Sequence, residues 1–177
     1  MLSHAEIKTL LPHRYPMLLV DAVRSIERWT SIVGIKNVTG NEPCFAHSGQ
    51  DAEPFSHAYP CSLVLESFAQ TAGILLNGRR RDAGAPEAVM LFAGLSGARF
   101  SGVEVLPGDT MEHRARLDRV LSDAAILSGE VRVEGRRIVR IDQIVVAYRS
   151  RQELESAALR RGTAGHEPCV PARQGEV

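Results

Sequence analysis

The sequence predicts an α+β fold in which a curved antiparallel sheet wraps around one long central helix. Residues 61–76 are apolar on almost every side and contain no Pro and one Gly, which indicates a helix that is buried on most faces. Strand-like segments follow this helix, and their mixed polar and apolar faces are typical of an antiparallel sheet. One buried helix and about five or six such strands are expected to form two packed layers.

The composition excludes several functional classes. The 177 residues include 21 Lys and Arg and 21 Asp and Glu, so we expect no polyanion-binding surface and no nucleic acid partner. No apolar run reaches the roughly 20 residues that cross a bilayer, and the first residues lack a secretory signal pattern, so we expect a cytoplasmic protein without membrane contact. The three cysteines have no C-x-x-C spacing, and no two histidines have the spacing of metal ligands on a helix or hairpin. The usual nucleotide-binding and zinc-protease motifs are also absent. We therefore expect no metal site, and expect His and carboxylates to carry the chemistry.

The first third of the chain contains one short helix and two short strands in this interpretation. Ser3 and Glu6 have the spacing of a capping box, which predicts a helix over residues 3–10. Aliphatic and β-branched runs predict strands over 17–21 and 30–38.

A long loop comes next and leads into the central helix. Residues 43–60 are rich in Pro, Gly, Ser, Asp and His, and a loop of this length indicates a functional segment. The buried helix over 61–76 follows, and the cations at 79–81 lie beyond it, where they complement the negative end of its dipole. Residues 82–86 form a turn.

The second half of the chain is strand-rich and ends in a polar tail. Residues 1–150 are expected to form one domain, and 151–177 a charged and then Gly-, Pro- and Arg-rich tail. Within the tail, a short helix is expected near 152–161, and 162–177 is expected to be disordered. The predicted strands, separated by turn residues, are 89–94, 97–105, 110–121, 124–133 and 137–149.

Five short signatures occur in one order along the chain: LPHRYPMLLVD (11–21), IKNVTGNEP (35–43), SLVLESFAQTAGIL (62–75), LFAGLSGARF (91–100) and VLPGDTM (105–111). In this order and spacing the chain resembles the Z-type 3-hydroxyacyl-(acyl carrier protein) dehydratases across about residues 9–149. The resemblance implies a hot-dog fold and a lyase that converts 3-hydroxyacyl chains to 2-enoyl chains in fatty acid or polyketide biosynthesis. It also implies no cofactor besides the phosphopantetheine that carries the substrate on an acyl carrier protein, and a dimer or higher oligomer with active sites at the dimer interface.

Glu66 is the candidate catalytic acid. It stands in SLVLESFAQ, where the family has the Glu or Asp that acts on the leaving hydroxyl. From the residues alone, desolvation within an apolar helix is expected to raise the pKa of this carboxyl and suit it to donate a proton. The alternative is a structural Glu paired with a buried Arg or with the backbone. Gln70 lies one helical turn further on and is placed to orient Glu66 or a water molecule.

The loop before the helix departs from the family pattern at the catalytic base. The family has H-F-P there, whereas this chain has NEPCFAHSGQDAEPFSHAYP, about four residues longer. Counting from the two ends of the loop places Ser48 or Ala52 at the position of the family His. His47, one residue before Ser48, and His57, in HAYP, are the candidate bases; the alternative is that both are ordinary loop residues. His13 is interpreted as structural.

The remaining candidate site residues come from the helix start and from one strand. The backbone N–H groups of Cys61 and Ser62 would bind the developing oxyanion, and Cys61 replaces the Gly that the family has there. A nucleophilic role for Cys61 is disfavoured because no fitting His and acid accompany it. By resemblance, the substrate tunnel is lined by Gln70, Phe92, Gly94, Arg99 and Phe100, although core packing is the commoner explanation of a Phe in a strand.

Four functional hypotheses remain open from the sequence. The first is a dehydratase subunit that supplies Glu66 to a heterodimer whose sister subunit carries the His. The second is a homodimeric dehydratase with His47 or His57 as the base. The third is a non-catalytic hot-dog subunit that binds acyl chains or stabilises a catalytic partner. The fourth, less favoured because the helix motif resembles the dehydratases more closely, is an acyl thioesterase.

Overall fold

Six antiparallel strands and three α-helices make up the part of the chain that the structure, a computed structural model, describes: residues 1–46, 57–86 and 88–162. The helices are α1 (His4–Leu10), α2 (Cys61–Asp82) and α3 (Arg151–Gly162), with one 3₁₀ turn at Pro43–Phe45. The strands are β1 (Ala22–Glu27), β2 (Ser31–Asn37), β3 (Val89–Phe100), β4 (Thr110–Val120), β5 (Ala124–Val133) and β6 (Arg136–Arg149).

The strands form one sheet in the order β1-β2-β4-β5-β6-β3, and α2 packs on it against β2, β4 and β5. Two glycines in the sheet let the helix approach closely. A Cβ on Gly34 would lie 2.5 Å from Thr71 Oγ1, and one on Gly129 would lie 2.8 Å from the Phe68 ring. The predicted antiparallel sheet around a central helix is therefore confirmed.

The N-terminal helix forms where the capping box predicts it. The Ser3 N–H donates to the Glu6 carboxylate at 2.8 Å, and the Glu6 N–H donates back to Ser3 Oγ. Ile7, the buried residue of α1, packs into the core. Because α1 also contacts α2, the chain that leaves α1 passes beside the central helix.

The predicted strand over residues 17–21 is wrong, because β1 begins only at Ala22. In the preceding segment two backbone groups are bonded to the central helix, whereas Asp21, next to β1, donates its N–H to Ile35 on β2. Gln70 Nε2 donates to the Met17 carbonyl at 2.7 Å, and the Leu19 N–H donates to Gln70 Oε1 at 2.9 Å. The segment is thus tied to α2 before it reaches the sheet.

The predicted strands 89–94 and 97–105 are one strand, β3, which ends at Phe100. The register shifts between Phe92 and Gly94, which indicates a bulge and not a break. Gly97 has φ +64° and lies against the Asp142 side chain, so the strand continues through a position that suits glycine.

The strands 110–121, 124–133 and 137–149 and the helix near 152–161 are confirmed as β4, β5, β6 and α3, within one or two residues. The central helix extends past residue 76 to Asp82, so the three arginines at 79–81 form its last turn. Two predicted segments lie partly outside the described residues: the loop, at 47–56, and the tail, at 163–177. The division of the chain into a domain and a tail at residue 150 stays a prediction. No helix in the described ranges is long and apolar enough to cross a lipid bilayer.

Candidate active site

The second turn of α2 presents Glu66 next to two polar side chains. Gln70 Nε2 donates to Glu66 Oε1 at 2.8 Å, as its position one helical turn away predicts. His13, from the segment between α1 and β1, has its Nε2 3.6 Å from the same oxygen. The structure therefore brings together an acid, an amide and an imidazole, and all three belong to family-like segments of the sequence.

Gln70 links this cluster to the backbone of the preceding segment. Its side chain is buried, and it exchanges hydrogen bonds with Met17 and Leu19 while also bonding Glu66. A side-chain amide has one acceptor oxygen and two N–H donors, and here both ends are engaged. Glu66 Oε1 is therefore held by a group that is itself fixed.

The contact of His13 with Glu66 is not predicted by the sequence, which indicates only a structural role for this residue. Arg14 holds the turn that carries it, because its guanidinium donates to the carbonyls of Leu11 at 2.8 Å and Lys8 at 3.2 Å. The signal for His13 was its place in LPHRYP, but nothing in that string indicates contact with a residue 53 positions away.

The expected apolar enclosure of Glu66 is not present within one chain. The Glu66 and His13 side chains are each 36% exposed. In the part of the chain that the structure describes, Glu66 is not paired with any Arg or Lys, so the alternative of a structural ion pair with a buried Arg is not met either. A carboxylate that is fixed at one oxygen and open to the surface can meet a substrate from outside.

The first turn of α2 has backbone N–H groups that the helix itself does not engage. Pro60 caps the helix, and its carbonyl accepts from the N–H groups of Leu63 and Val64. Among the described residues, the N–H groups of Cys61 and Ser62 have no hydrogen-bond acceptor, and both side chains are exposed. Two N–H groups at the positive end of a helix dipole can bind an oxyanion.

The candidate bases are not brought to Glu66 within the described residues. His57 is partly buried just before the start of α2 and forms no ion pair with Glu66. His47 lies outside the described residues.

A buried ion pair and a backbone hydrogen bond fix the ends of the loop that carries these histidines. Lys36, at the end of β2, pairs with Glu42 at the start of the loop, and both side chains are almost fully buried. At the other end the Tyr59 N–H donates to the Val105 carbonyl at 2.7 Å. Burial, together with the nearby Glu42 charge, raises the pKa of the Tyr59 phenol, so it stays neutral and packs as part of the core.

The predicted tunnel residues on β3 lie at an open edge of the sheet. Phe92 and Phe100 are 56% and 42% exposed, so core packing within this chain does not explain them. Arg99 is paired with Asp142 on the neighbouring strand β6, and Gly94 follows the bulge. Gln70, the fifth predicted tunnel residue, is on α2, which packs against β2, β4 and β5, and it is buried and bonded to Glu66.

No cluster of three or more His, Cys, Asp or Glu side chains suited to a metal ion occurs within residues 1–46, 57–86 and 88–162. The polar groups of the described site are one carboxylic acid, one imidazole, one amide and two backbone N–H groups. Such a set can donate and accept protons and bind an oxyanion.

Comparisons with known proteins give the site a context. Residues 11–142 match the FabA-like domain family. Over 128 residues the chain is 41% identical to the 3-hydroxyacyl-[acyl-carrier-protein] dehydratase FabZ of Acidovorax sp. (strain JS42), a match that covers 72% of this chain and 85% of that protein.

Solved structures identify the fold as hot-dog, as the resemblance implied. The dehydratase heterocomplex ApeI:P from Xenorhabdus doucetiae matches 86% of this chain and 96% of its own with a TM-score of 0.72 and 17% identity. A hot-dog-like protein from Thermanaerovibrio acidaminovorans matches 77% of this chain and 93% of its own with a TM-score of 0.59 and 17% identity. At this level of identity the likeness concerns the fold alone.

Proposed function

This chain belongs to the family of FabA-like domains, and from that premise we propose that it removes water from 3-hydroxyacyl thioesters carried on an acyl carrier protein. The similar FabZ protein is named for this reaction, which is that of a hydro-lyase in fatty acid synthesis. The observation that carries the proposal is Glu66, which α2 presents at the surface with one oxygen fixed by Gln70.

The reaction assigns a role to each part of the site. A base takes the proton from C2 of the acyl chain, the electron pair forms the double bond between C2 and C3, and the C3–O bond breaks. Glu66 gives its proton to the leaving hydroxyl, which departs as water. The N–H groups of Cys61 and Ser62 bind the thioester oxygen, where negative charge develops as the C2 proton is removed.

We assign the base to a histidine that makes no contact with Glu66 among the described residues of the single chain. His47 and His57 are the candidates because their loop leads into the start of α2, and it is anchored by the Lys36–Glu42 pair at one end and by the Tyr59 N–H at the other. The family that the sequence resembles is expected to take the His and the acid of each site from different protomers. We therefore place the base of each site on a second hot-dog chain, either a copy of this one or a sister subunit.

The edge strand β3 supplies the surface for that second chain. It is twelve residues long, and on its outer side it has no strand partner among the described residues. An exposed apolar edge of this length pairs readily with another strand. Side chains that would be buried by such pairing include Leu91, Phe92, Leu95 and Phe100, all exposed in the single chain.

The substrate is a 3-hydroxyacyl chain on the phosphopantetheine arm of its carrier protein, and the pathway is fatty acid or polyketide synthesis. An exposed acid beside an apolar strand suits a substrate that combines a polar thioester head with a lipid tail. No additional cofactor enters this mechanism, because every step moves a proton or a lone pair between groups already named.

Mass spectrometry of a 3-hydroxyacyl carrier protein tests the proposal directly. The purified chain is incubated with carrier proteins of several acyl lengths, alone and together with any second hot-dog subunit that a neighbouring gene encodes, and loss of one water is followed. Glu66→Gln keeps the size of the side chain but removes the acid, and we expect turnover to fall by roughly a hundredfold or more. Glu155→Gln, on the exposed face of α3, is the matched control and should leave the rate unchanged.

The altered loop favours one alternative, a subunit that binds acyl chains or stabilises a catalytic partner. Under that alternative the complex would dehydrate its substrate equally well with Glu66→Gln. Activity of the chain alone would support the homodimer, and activity only with the second subunit would support the heterodimer.

A further inference from the structure

We propose that His13 is a positioning residue that determines which oxygen of Glu66 carries the acidic proton. The proposal rests on the proposed function, in which Glu66 is the acid. His13 Nε2 and Gln70 Nε2 both face Glu66 Oε1, at 3.6 and 2.8 Å. Among the described residues, no group makes a hydrogen bond or ion pair with Oε2.

The two nitrogens of the imidazole have different surroundings, which bears on its tautomer. His13 Nδ1 is buried and has no hydrogen-bond partner in the part of the chain that the structure describes. A proton on Nδ1 would place an N–H donor in a buried position without an acceptor, which costs free energy. The form with its proton on Nε2 also leaves Nδ1 without a partner, as an acceptor, but it points an N–H group and not a lone pair at the Glu66 carboxylate, and this contact favours it.

Two N–H donors on one carboxyl oxygen favour the acidic proton on the other. A proton on Oε1 would lie against the hydrogens of Gln70 and His13, whereas a proton on Oε2 meets neither. Oε2 is therefore the oxygen that delivers the proton to the leaving hydroxyl. Once the proton has left, the Gln70 hydrogen bond to the carboxylate is charge-assisted, and the His13 N–H adds a second one when its 3.6 Å contact shortens.

The distance and the neighbouring charges are consistent with this role. At 3.6 Å the His13–Glu66 contact is longer than a hydrogen bond, and such contacts in unliganded sites often shorten when substrate binds. The charged groups near the imidazole are Glu66 on α2 and Arg14 beside it in the chain. The Arg14 guanidinium is turned toward the carbonyls of Leu11 and Lys8, so it does not compete for Glu66.

The tautomer of His13 is the first test, and it does not depend on activity. ¹⁵N NMR of the ring nitrogens distinguishes a proton on Nε2 from one on Nδ1, and replacement of His13 assigns the signals. We expect the neutral His13 ring to carry its proton on Nε2. A neutral ring with its proton on Nδ1 overturns the proposal whether or not the chain is a dehydratase.

The second test is kinetic and uses the complex that proves active in the dehydration assay. His13→Leu removes the donor, whereas the amide nitrogen of His13→Gln reaches about the same place as Nε2. We expect kcat to fall roughly tenfold to hundredfold in His13→Leu, the loss typical of a hydrogen bond to a charged group, with KM little changed. His13→Gln should recover most of kcat, and His4→Leu, on the exposed side of α1, should leave it unchanged.

The kinetic outcomes separate this inference from the proposed function. Normal turnover in His13→Leu, or a His13→Gln variant as slow as His13→Leu, overturns the role of His13 while Glu66→Gln still decides the role of the acid. A thermal melt checks that each variant is folded. If His13→Leu does not fold, the tautomer and the His13→Gln variant decide the question.

Discussion

Replacing Gln70 by Leu tests whether this residue holds the segment before β1 against the central helix. The Gln70 side chain is 2% exposed and makes three hydrogen bonds. Leu has a similar volume, so the substitution removes polar contacts without leaving a large cavity. Three groups lose a partner: the Leu19 N–H, the Met17 carbonyl and Glu66 Oε1.

The three losses are unequal because the partners differ in burial. Leu19 is fully buried, so its N–H would be left without any partner, at a cost of about 1–3 kcal/mol. Met17 is exposed, so its carbonyl can bond to water, and that loss is about 0.5–1.5 kcal/mol. Glu66 is open to solvent and adds little. The free energy of unfolding should therefore fall by about 1.5–4.5 kcal/mol.

Urea unfolding followed by circular dichroism measures this change, with Asn77→Leu as the comparison. Asn77 Nδ2 makes a single hydrogen bond, to the Leu10 carbonyl at 2.6 Å, and Leu10 is only partly buried. We expect a loss of about 0.5–1.5 kcal/mol there. A Gln70→Leu protein no less stable than Asn77→Leu would refute the view that Gln70 anchors this segment.

Two further predictions concern the core. Burial, helped by the Lys36 charge, lowers the pKa of His113 to about 3, so between about pH 6.5 and pH 3 the unfolded chain binds a proton that the folded chain does not. Wild-type stability should then fall as the pH drops through this range, by up to about 1.4 kcal/mol per pH unit from this residue. In urea unfolding at a series of pH values, His113→Leu should show a shallower dependence of stability on pH. Equal slopes for the two proteins would contradict this prediction. Gly34→Ala should lower the free energy of unfolding by about 1–3 kcal/mol, because its Cβ would lie 2.5 Å from Thr71 Oγ1. Gly40→Ala, with open space around it, should change stability little in the same urea unfolding experiment. Equal losses in the two variants would contradict this prediction.

The parts of the fold that the sequence could predict depend on local pattern. The apolar run after Cys61 indicates a buried helix by itself, and Ser3 with Glu6 marks the start of α1 by its spacing. The strand predicted over 17–21 is absent because Gln70, more than 50 residues away, bonds the Met17 carbonyl and the Leu19 N–H. An aliphatic run can be extended in either case, so the pattern alone does not separate a strand from a segment tied to a helix.

In the candidate site, too, the sequence could predict only the contacts that follow from local geometry. Glu66 and Gln70 are one helical turn apart, so their contact follows from helix geometry. The contact of His13 with Glu66 depends on how the chain between α1 and β1 crosses α2, which no local pattern encodes. The expected enclosure of Glu66 assumed that an apolar helix is covered on all sides, whereas one face of its second turn is open in the single chain.

The proposed tautomer of His13 also argues against this residue as the catalytic base. A base needs an unshared electron pair that the substrate can reach. With the proton on Nε2, the only lone pair of the ring is on Nδ1, which is buried. Of the groups that contact Glu66 among the described residues, the other is the Gln70 amide, which is not basic. The proton at C2 must therefore be taken by a group that reaches the site from elsewhere, either the loop that holds His47 and His57 or a second subunit, and the open face of Glu66 leaves room for it.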